Sequence, residues 1–109
     1  MPTFGQVIAA ARKAKGLSLQ QLAAQIKKAE DDRSISPAYL NDIEHGRRNP
    51  PTEHLLRQLA QVLSLDLDYL HYLAGELPPD LITPEQDPAA VAAAFAVFRK
   101  TLRKGGRQT

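Results

Sequence analysis

The chain has 109 residues, 43% of them hydrophobic, and 14 Lys and Arg against 12 Asp and Glu give a formal net charge of +2. This length predicts a single domain with a modest core, and the absence of cysteine excludes a disulfide framework or a thiolate metal site, as suits a reducing cytoplasm. No apolar run approaches the roughly 20 residues of a membrane span, and the first residues lack the features of a signal peptide. Charge is unevenly placed: residues 1–87 hold 9 basic and 12 acidic residues, whereas residues 88–109 hold 5 basic and none acidic.

Two capping boxes open the first two predicted helices. Thr3 with Gln6 precedes a helix that Gly16 ends, and Ser18 with Gln21 opens the second helix two residues later. Apolar residues recur at spacings of three and four in both segments, so we expect one face of each helix to be buried. These residues are Phe4, Val7, Ile8 and Ala11 in the first helix and Leu19, Leu22, Ala23 and Ile26 in the second.

The third predicted helix begins at Ser36, a capping residue followed by proline, and ends at Gly46. Only Leu40 and Ile43 are clearly apolar, so a narrow stripe faces the core and the other side chains point outward. Isolated helices shorter than about 12–15 residues are marginal in water. The rest of the chain must therefore hold this helix in place.

A polar segment at residues 27–34 separates the second and third predicted helices. We expect it to extend the second helix by one turn and then to form a loop near Asp31 and Asp32. Lys27 and Lys28 lie four residues before these aspartates, a spacing that allows ion pairs on a helix.

Two leucine-rich helices follow, with Thr52 and Asp66 as their capping residues. No segment shows the alternation of a β-strand, so five short helices predict a compact all-α bundle over residues 1–74. The inward residues are Leu55, Leu56, Leu59, Val62 and Leu63 in the fourth helix and Leu67, Leu70, Leu73 and Ala74 in the fifth.

Residues 75–87 are rich in proline, which predicts a stiff and extended connector. A final amphipathic helix is predicted over residues 88–104, followed by a flexible basic tail at 105–109. Its apolar stripe needs cover, either from its own bundle or from a second copy of the chain. A helical arm beyond such a connector suits dimerisation, which we favour. The stripe is formed by Val91, Phe95, Phe98 and Leu102.

The order and spacing of these segments resemble the Xre family of lambda-repressor-like helix-turn-helix regulators over residues 4–74, about two-thirds of the chain. The matching residues are Arg12, Gly16, Leu17, Ser18, Leu22, Ala23, Ser36, Pro37, Tyr39, Leu40, Ile43, Glu44, Gly46 and Pro50. The resemblance implies a five-helix helix-turn-helix domain plus a C-terminal helix. It also implies a sequence-specific regulator of transcription, a repressor, that binds double-stranded DNA as a homodimer and reads the major groove with the helix at 36–46.

The resemblance also assigns site residues. Arg12 and Glu44 are expected to form a partly buried salt bridge that ties the first helix to the third. The base-reading residues would be Ser36, Pro37, Ala38, Tyr39, Asn41 and Asp42, although a structural role for Asp42 is equally compatible with its charge. The phosphate-binding residues would be Ser18, Gln20, Arg47, Arg48 and Asn49. One departure is the turn before the third helix, which is about seven residues longer than the family's usual three to four.

Two other functions remain open at this stage. One is a DNA-binding antitoxin of a toxin–antitoxin pair, whose C-terminal arm holds a protein toxin. The other is a protein-interaction module on the same fold without DNA binding. An enzyme is not expected, because His45, His54 and His71 are scattered and there is neither a metal-ligand spacing nor a glycine-rich phosphate loop. We therefore predict no catalytic residues, no metal and no cofactor. A protein partner is possible, but the sequence does not identify it. No association with a membrane is expected.

Overall fold

A computed structural model describes residues 2–49 and 51–106, and every extended secondary-structure element among these residues is a helix. Pro50 and the last three residues of the predicted tail lie outside the described residues. The helices are α1 (Phe4–Ala14), α2 (Leu19–Ala24), α3 (Pro37–Glu44), α4 (Glu53–Leu63), α5 (Leu67–Ala74), a 3₁₀ helix (Pro79–Leu81) and α6 (Pro88–Gly106). The predicted all-α fold is confirmed. The chain divides into two units, residues 1–77 and residues 78–109.

The first two helices begin where their capping boxes predict. The Thr3 hydroxyl accepts the Gln6 amide N–H at 3.2 Å, and the Gln6 side chain accepts the Thr3 N–H at 2.9 Å. Ser18 and Gln21 make the same reciprocal pair at 3.0 and 2.8 Å. Each box satisfies two backbone donors that a helix start would otherwise leave unpaired, and so fixes where the helix begins.

The apolar faces of α1 to α5 meet in one core. Burying these faces supplies the stability that helices of 6 to 11 residues lack on their own. The buried hydrophobic residues are Phe4, Ile8, Leu22, Ala23, Ile26, Ile35, Leu40, Ile43, Leu55, Leu56, Leu59, Ala60, Leu63 and Leu70. Ala11, Leu17, Leu19, Val62, Leu65, Leu67, Leu73 and Ala74 pack at its edge.

The prediction that the polar segment extends α2 is wrong. The helix ends at Ala24, and residues 27–34 form a hairpin whose arms meet in an antiparallel bridge between Lys27 and Ser34. Below the bridge, the Ile35 N–H donates to the Ile26 carbonyl at 2.9 Å. Ile26 and Ile35 are both buried, so anchoring them in the core draws the two ends of the segment together and favours pairing over helix.

The predicted lysine–aspartate pairs are also not formed. The Asp31 carboxylate instead accepts the Arg33 N–H at 2.8 Å and lies 3.7 Å from the Arg33 guanidinium. Near the base of the hairpin, the Lys28 N–H donates to the Arg33 carbonyl at 2.9 Å. The Asp31 carboxylate therefore stabilises the turn at the tip of the hairpin and is not paired with a lysine.

Gln58 on α4 binds the base of the hairpin. Its side-chain oxygen accepts the Lys27 N–H at 2.6 Å, and its side-chain nitrogen donates to the Lys27 carbonyl at 2.8 Å. Both main-chain groups of Lys27 are thus paired with one amide. The hairpin is fixed to the bundle at its base and exposed beyond it.

A buried histidine on α5 lies against the start of α4. His71 is 2% exposed, and its Nε2 lies 2.7 Å from a carboxylate oxygen of Glu53. The other carboxylate oxygen of Glu53 lies 2.5 Å from Nε of Arg57. Thr52 precedes α4 as predicted but makes no side-chain capping bond, whereas the Asp66 carboxylate caps α5 by accepting the Tyr69 N–H at 3.1 Å.

The second unit consists of a connector and α6. The connector is not uniformly extended, because it contains the 3₁₀ helix, and α6 starts after Asp87, whose carboxylate accepts the Ala90 N–H at 3.3 Å. Along α6, Val91, Phe98 and Leu102 are exposed and Phe95 is half-buried. None of the described helices combines the length and the apolar character needed to cross a membrane.

Candidate nucleic-acid interface

The start of α3 is defined by its own sequence. The Ser36 hydroxyl accepts the Tyr39 N–H at 3.0 Å, and Pro37 occupies the first helical position, where its missing N–H is no loss. Leu40 and Ile43 are buried in the core and leave the other face of the helix outside. The helix is therefore held by two apolar side chains and by its ends.

The far end of α3 is joined to α1 by an ion pair between Arg12 and Glu44. Nε of Arg12 lies 2.7 Å from one carboxylate oxygen and Nη2 lies 3.0 Å from the other, which is the two-bond geometry that arginine makes with carboxylates. The side chains are only 11% and 3% exposed, and Nη1 of Arg12 also donates to the Leu17 carbonyl at 2.9 Å. Hydrogen bonding to Glu44 and the charge of its carboxylate raise the pKa of the Arg12 guanidinium despite its burial, so the arginine stays charged.

Gly5 also fixes α3 against α1, a contact that the sequence analysis missed. A Cβ atom at Gly5 would lie 2.5 Å from the Ile43 carbonyl oxygen and even closer to that of Glu44. The backbones of the two helices can approach this closely only because glycine has no side chain. A glycine inside an otherwise good helical pattern was the available signal, since it weakens a helix unless packing requires it.

The outward face of α3 carries the predicted base-reading residues. Ser36, Pro37 and Ala38 are exposed, whereas Tyr39, Asn41 and Asp42 are half-buried. All six belong to the helix or its cap, so the helix itself sets their relative positions. The ring of His45, at the end of the helix, lies 2.8 Å from the Asn41 carbonyl oxygen.

The chain leaves α3 through a glycine turn. Gly46 has a φ of +71°, its N–H donates to the Ile43 carbonyl at 3.2 Å, and the Arg47 N–H donates to the Asp42 carbonyl at 2.9 Å. This pair of bonds is the Schellman motif, which requires a left-handed residue where glycine stands. The motif brings Arg47 back beside the last turn of the helix.

Arg47 and Arg48 converge on Asp42. Nε of Arg47 lies 3.0 Å from one carboxylate oxygen of Asp42, and Nε of Arg48 lies 3.6 Å from the other. The Arg48 guanidinium also lies 4.7 Å above the centre of the Tyr39 ring, within the range of a cation–π contact. An open cleft of about 520 Å³ adjoins this cluster. It is lined by Tyr39, Gly46, Arg47, Arg48, Asn49, Pro51 and Thr52.

Ser18 and Gln20, the other predicted phosphate-binding residues, are exposed at the start of α2. The two polar groups therefore lie on different elements, with Arg47, Arg48 and Asn49 directly after α3. His45 and His54 are exposed, and among the described residues no three His, Asp or Glu side chains are grouped as metal ligands would be.

A short helix that packs on the core with one face, exposes a polar face and is followed directly by arginines is typical of a helix-turn-helix protein. Comparison with known proteins agrees: the family described as Helix-turn-helix matches residues 8–70. The chain is 32% identical over 105 residues to the uncharacterized HTH-type transcriptional regulator RghRB of Bacillus subtilis (strain 168), covering 96% of this chain and 70% of that protein. It is also similar to the solved structure of the SinR protein/SinI protein complex, with a TM-score of 0.50, 26% identity and 95% of each chain covered.

The chain belongs to the helix-turn-helix family, and within it to the Xre-like DNA-binding regulators of transcription. The fold class expected from the resemblance is therefore confirmed. That family is a class of DNA-binding regulators and not a class of enzymes.

Proposed function

We propose that this protein is a sequence-specific repressor that reads the major groove of double-stranded DNA with α3. The observation that carries the proposal is the division of α3 into two faces. One face is fixed by Leu40, Ile43 and the ion pair of Glu44, and the other leaves polar side chains outside. In helix-turn-helix proteins, such a helix lies in the major groove with its N-terminal residues at the base edges.

Base reading is assigned to the six outward residues. The Asn41 amide can bond adenine through two hydrogen bonds, and the Ala38 methyl group can contact the methyl group of thymine. The Asp42 carboxylate belongs to the set because a carboxylate accepts from the amino group of cytosine, a contact that requires Asp42 to leave its ion pairs with Arg47 and Arg48. The complete proposed set is Ser36, Pro37, Ala38, Tyr39, Asn41 and Asp42.

Phosphate binding is assigned to two exposed groups on different elements. Arg47, Arg48 and Asn49 follow the C-terminal end of α3, while Ser18 and Gln20 begin α2. Contacts to phosphate position a protein on the duplex without carrying sequence information. Two anchoring regions would fix the angle at which α3 enters the groove.

Homodimerisation through α6 completes the proposal. An amphipathic helix whose Val91, Phe98 and Leu102 are exposed gains stability by burying them against a second copy. Two reading helices would then contact half-sites about 34–36 Å apart. A dimer that occupies a promoter in this way would exclude other proteins from the same groove and so repress transcription.

Two substitutions test the separation of reading from anchoring. Arg47→Ala is expected to weaken binding to every duplex alike and to flatten the dependence of log K on log salt by about one unit. Asn41→Ala is expected to cost about 1–3 kcal/mol at the preferred site and to relax the preference at one base pair. Selection of bound fragments from a random DNA library first identifies that site, and anisotropy titrations at several salt concentrations then compare the variants. The same uniform loss in both variants would refute the separation.

The competing functions are a toxin-binding antitoxin and a protein-interaction module, and one comparison supports a protein partner. The similar solved structure is a complex of the SinR protein with the SinI protein. A folded protein that binds no duplex DNA at low salt would rule out the repressor and favour the interaction module. A DNA-binding protein that co-purifies with the product of a neighbouring toxin gene would favour the antitoxin.

A further inference from the structure

Asp42 occupies an unexpected position for a residue on a DNA-facing helix. Its carboxylate lies among side chains proposed to meet phosphates, where a negative charge opposes binding. Yet the carboxylate does not point into empty solvent, because one oxygen is 3.0 Å from Nε of Arg47 and the other is 3.6 Å from Nε of Arg48. Both proposed phosphate-binding arginines are therefore engaged by one carboxylate of the same chain.

The backbone keeps Asp42 and Arg47 close together. The Arg47 N–H donates to the Asp42 carbonyl at 2.9 Å in the turn after α3, so the two residues remain neighbours whatever their side chains do. Arg48 is held from a second side by the Tyr39 ring, 4.7 Å from its guanidinium. A carboxylate and a phosphate offer arginine the same fork of acceptor oxygens. Asp42 thus supplies, within the protein, the kind of ligand that DNA would supply.

We infer that Asp42 is an internal competitor for the DNA phosphates, which holds Arg47 and Arg48 at the exit of α3 and weakens their grip on any duplex. The inference rests on the proposed DNA-binding function. When an arginine moves to a phosphate, it must leave Asp42, and the released carboxylate attracts a cation of its own. That uptake offsets one of the counter-ions that DNA releases on binding.

The exposure of the cluster sets the size of the effect. The Asp42 side chain is 34% exposed and the two arginines are more than half exposed, so solvent screens both pairs. An exposed ion pair changes an equilibrium constant by at most about fivefold. Removing the carboxylate should therefore tighten binding to duplex DNA by about three- to tenfold, with contributions from both arginines.

The test compares Asp42→Asn with Asp68→Asn, which removes the same charge from an exposed position on α5. Asp68 makes no ion pair among the described residues. Affinity for a labelled duplex of random sequence is measured by anisotropy over a salt series, and thermal unfolding verifies that each variant is folded. Asp42→Ala is measured in parallel, so that a folding defect in one variant does not decide the result.

We expect Asp42→Asn and Asp42→Ala to bind more tightly, with a salt dependence steeper by up to about one unit. Asp68→Asn should change affinity by less than about twofold.

A double-mutant cycle identifies the group that Asp42 restrains. In an Arg47→Ala background, the gain from Asp42→Asn should shrink, because one of the two released arginines is gone.

Three results would overturn the inference. They are weaker binding by Asp42→Asn, a gain equal to that of Asp68→Asn, and a change confined to one base pair of the preferred site. If the unaltered protein binds no duplex, the proposed function fails together with the inference. If it binds and Asp42→Asn does not tighten binding, only the inference fails.

Discussion

At the scale of single residues, two contacts hold α3 against α1: a buried ion pair and a close backbone approach at a glycine. Arg12 reaches across to Glu44 with two bonds, and Gly5 lets the α1 backbone approach the carbonyl oxygens of Ile43 and Glu44. The two contacts act at opposite ends of α1. Together they fix the distance and the orientation of α3, on which the geometry of any bound duplex depends.

Replacing Glu44 by Gln should destabilise the protein strongly. The substitution keeps the shape but leaves the Arg12 guanidinium, which is 11% exposed, without its opposite charge. Breaking a buried ion pair by removing one partner typically costs about 3–5 kcal/mol. Urea unfolding measures the loss. As a control, Arg33→Ala removes one partner of an exposed pair in the hairpin and should cost no more than about 1 kcal/mol. A loss of that size for Glu44→Gln would show that the buried pair contributes no more than a surface pair.

Gly5→Ala should also destabilise the protein, although alanine is the better helix former. The new methyl group would overlap the carbonyl oxygens of Ile43 and Glu44, and overpacking of this kind costs about 1–3 kcal/mol. Gly105→Ala in α6 is the matched control, because nothing lies within 4 Å of its Cβ position. The control should be neutral or slightly stabilising. Equal unfolding free energies for the two variants would contradict the proposed close approach.

At the scale of elements, the hairpin shows how local and tertiary preferences compete. The i,i+4 spacing of lysine and aspartate favours one more turn of α2, but each such pair stabilises a helix by only about 0.2–0.5 kcal/mol. Full burial of an isoleucine side chain contributes about 1.5–3 kcal/mol, and both Ile26 and Ile35 are buried. The stronger preference wins, and residues 27–34 fold back on themselves.

Gln58→Ala should loosen the hairpin without unfolding the bundle. The substitution removes both side-chain bonds to the Lys27 main chain, and a net loss of about 1–2 kcal/mol is expected from two bonds in an exposed position. Hydrogen exchange at the Lys28 amide, which donates to Arg33, reports opening of the hairpin directly. Gln61→Ala, an exposed glutamine on the same helix, serves as the control. If both variants exchange at the same rate, the base of the hairpin is held by its backbone hydrogen bonds and the buried isoleucines alone.

At the scale of the whole molecule, the two units differ in how many of their apolar side chains are buried. Residues 1–77 contain the buried core of α1 to α5, whereas the stripe of α6 includes three exposed apolar residues. A helix of 19 residues gains stability by burying its exposed apolar side chains against a partner surface. Its association with a second copy is therefore the expected step in forming a two-fold regulator.

Phe95→Glu should weaken that association. The charge would enter the centre of the stripe, where its burial between two helices is unfavourable. Ala93→Glu is the matched control, because residue 93 lies on the opposite side of the helix at 100° per residue. Sedimentation equilibrium of the full chain is expected to show a dimer for the unaltered protein and the control, and a shift toward monomer for Phe95→Glu. An identical mass for all three proteins at every concentration would refute dimerisation through this stripe.

Several features of this protein were determined by the sequence itself. The two capping boxes, the Ser36–Pro37 start of α3 and the glycine at its end depend on bonds within a few residues, so local sequence sufficed to predict them. The periodic apolar stripes likewise predicted the helices and most of the core. Among the long-range contacts, only the pairing of Arg12 with Glu44 was anticipated, and only through the family resemblance.

Tertiary structure decided the rest, because it depends on distances between residues far apart in the chain. The close approach at Gly5, the burial of His71 beside Glu53 and the clamp of Gln58 on Lys27 each join separate elements. The convergence of Arg47 and Arg48 on Asp42 is different, since these residues are near neighbours in sequence. There, the left-handed turn at Gly46 and the ring of Tyr39 determine where the guanidinium groups lie, and no spacing rule encodes that geometry.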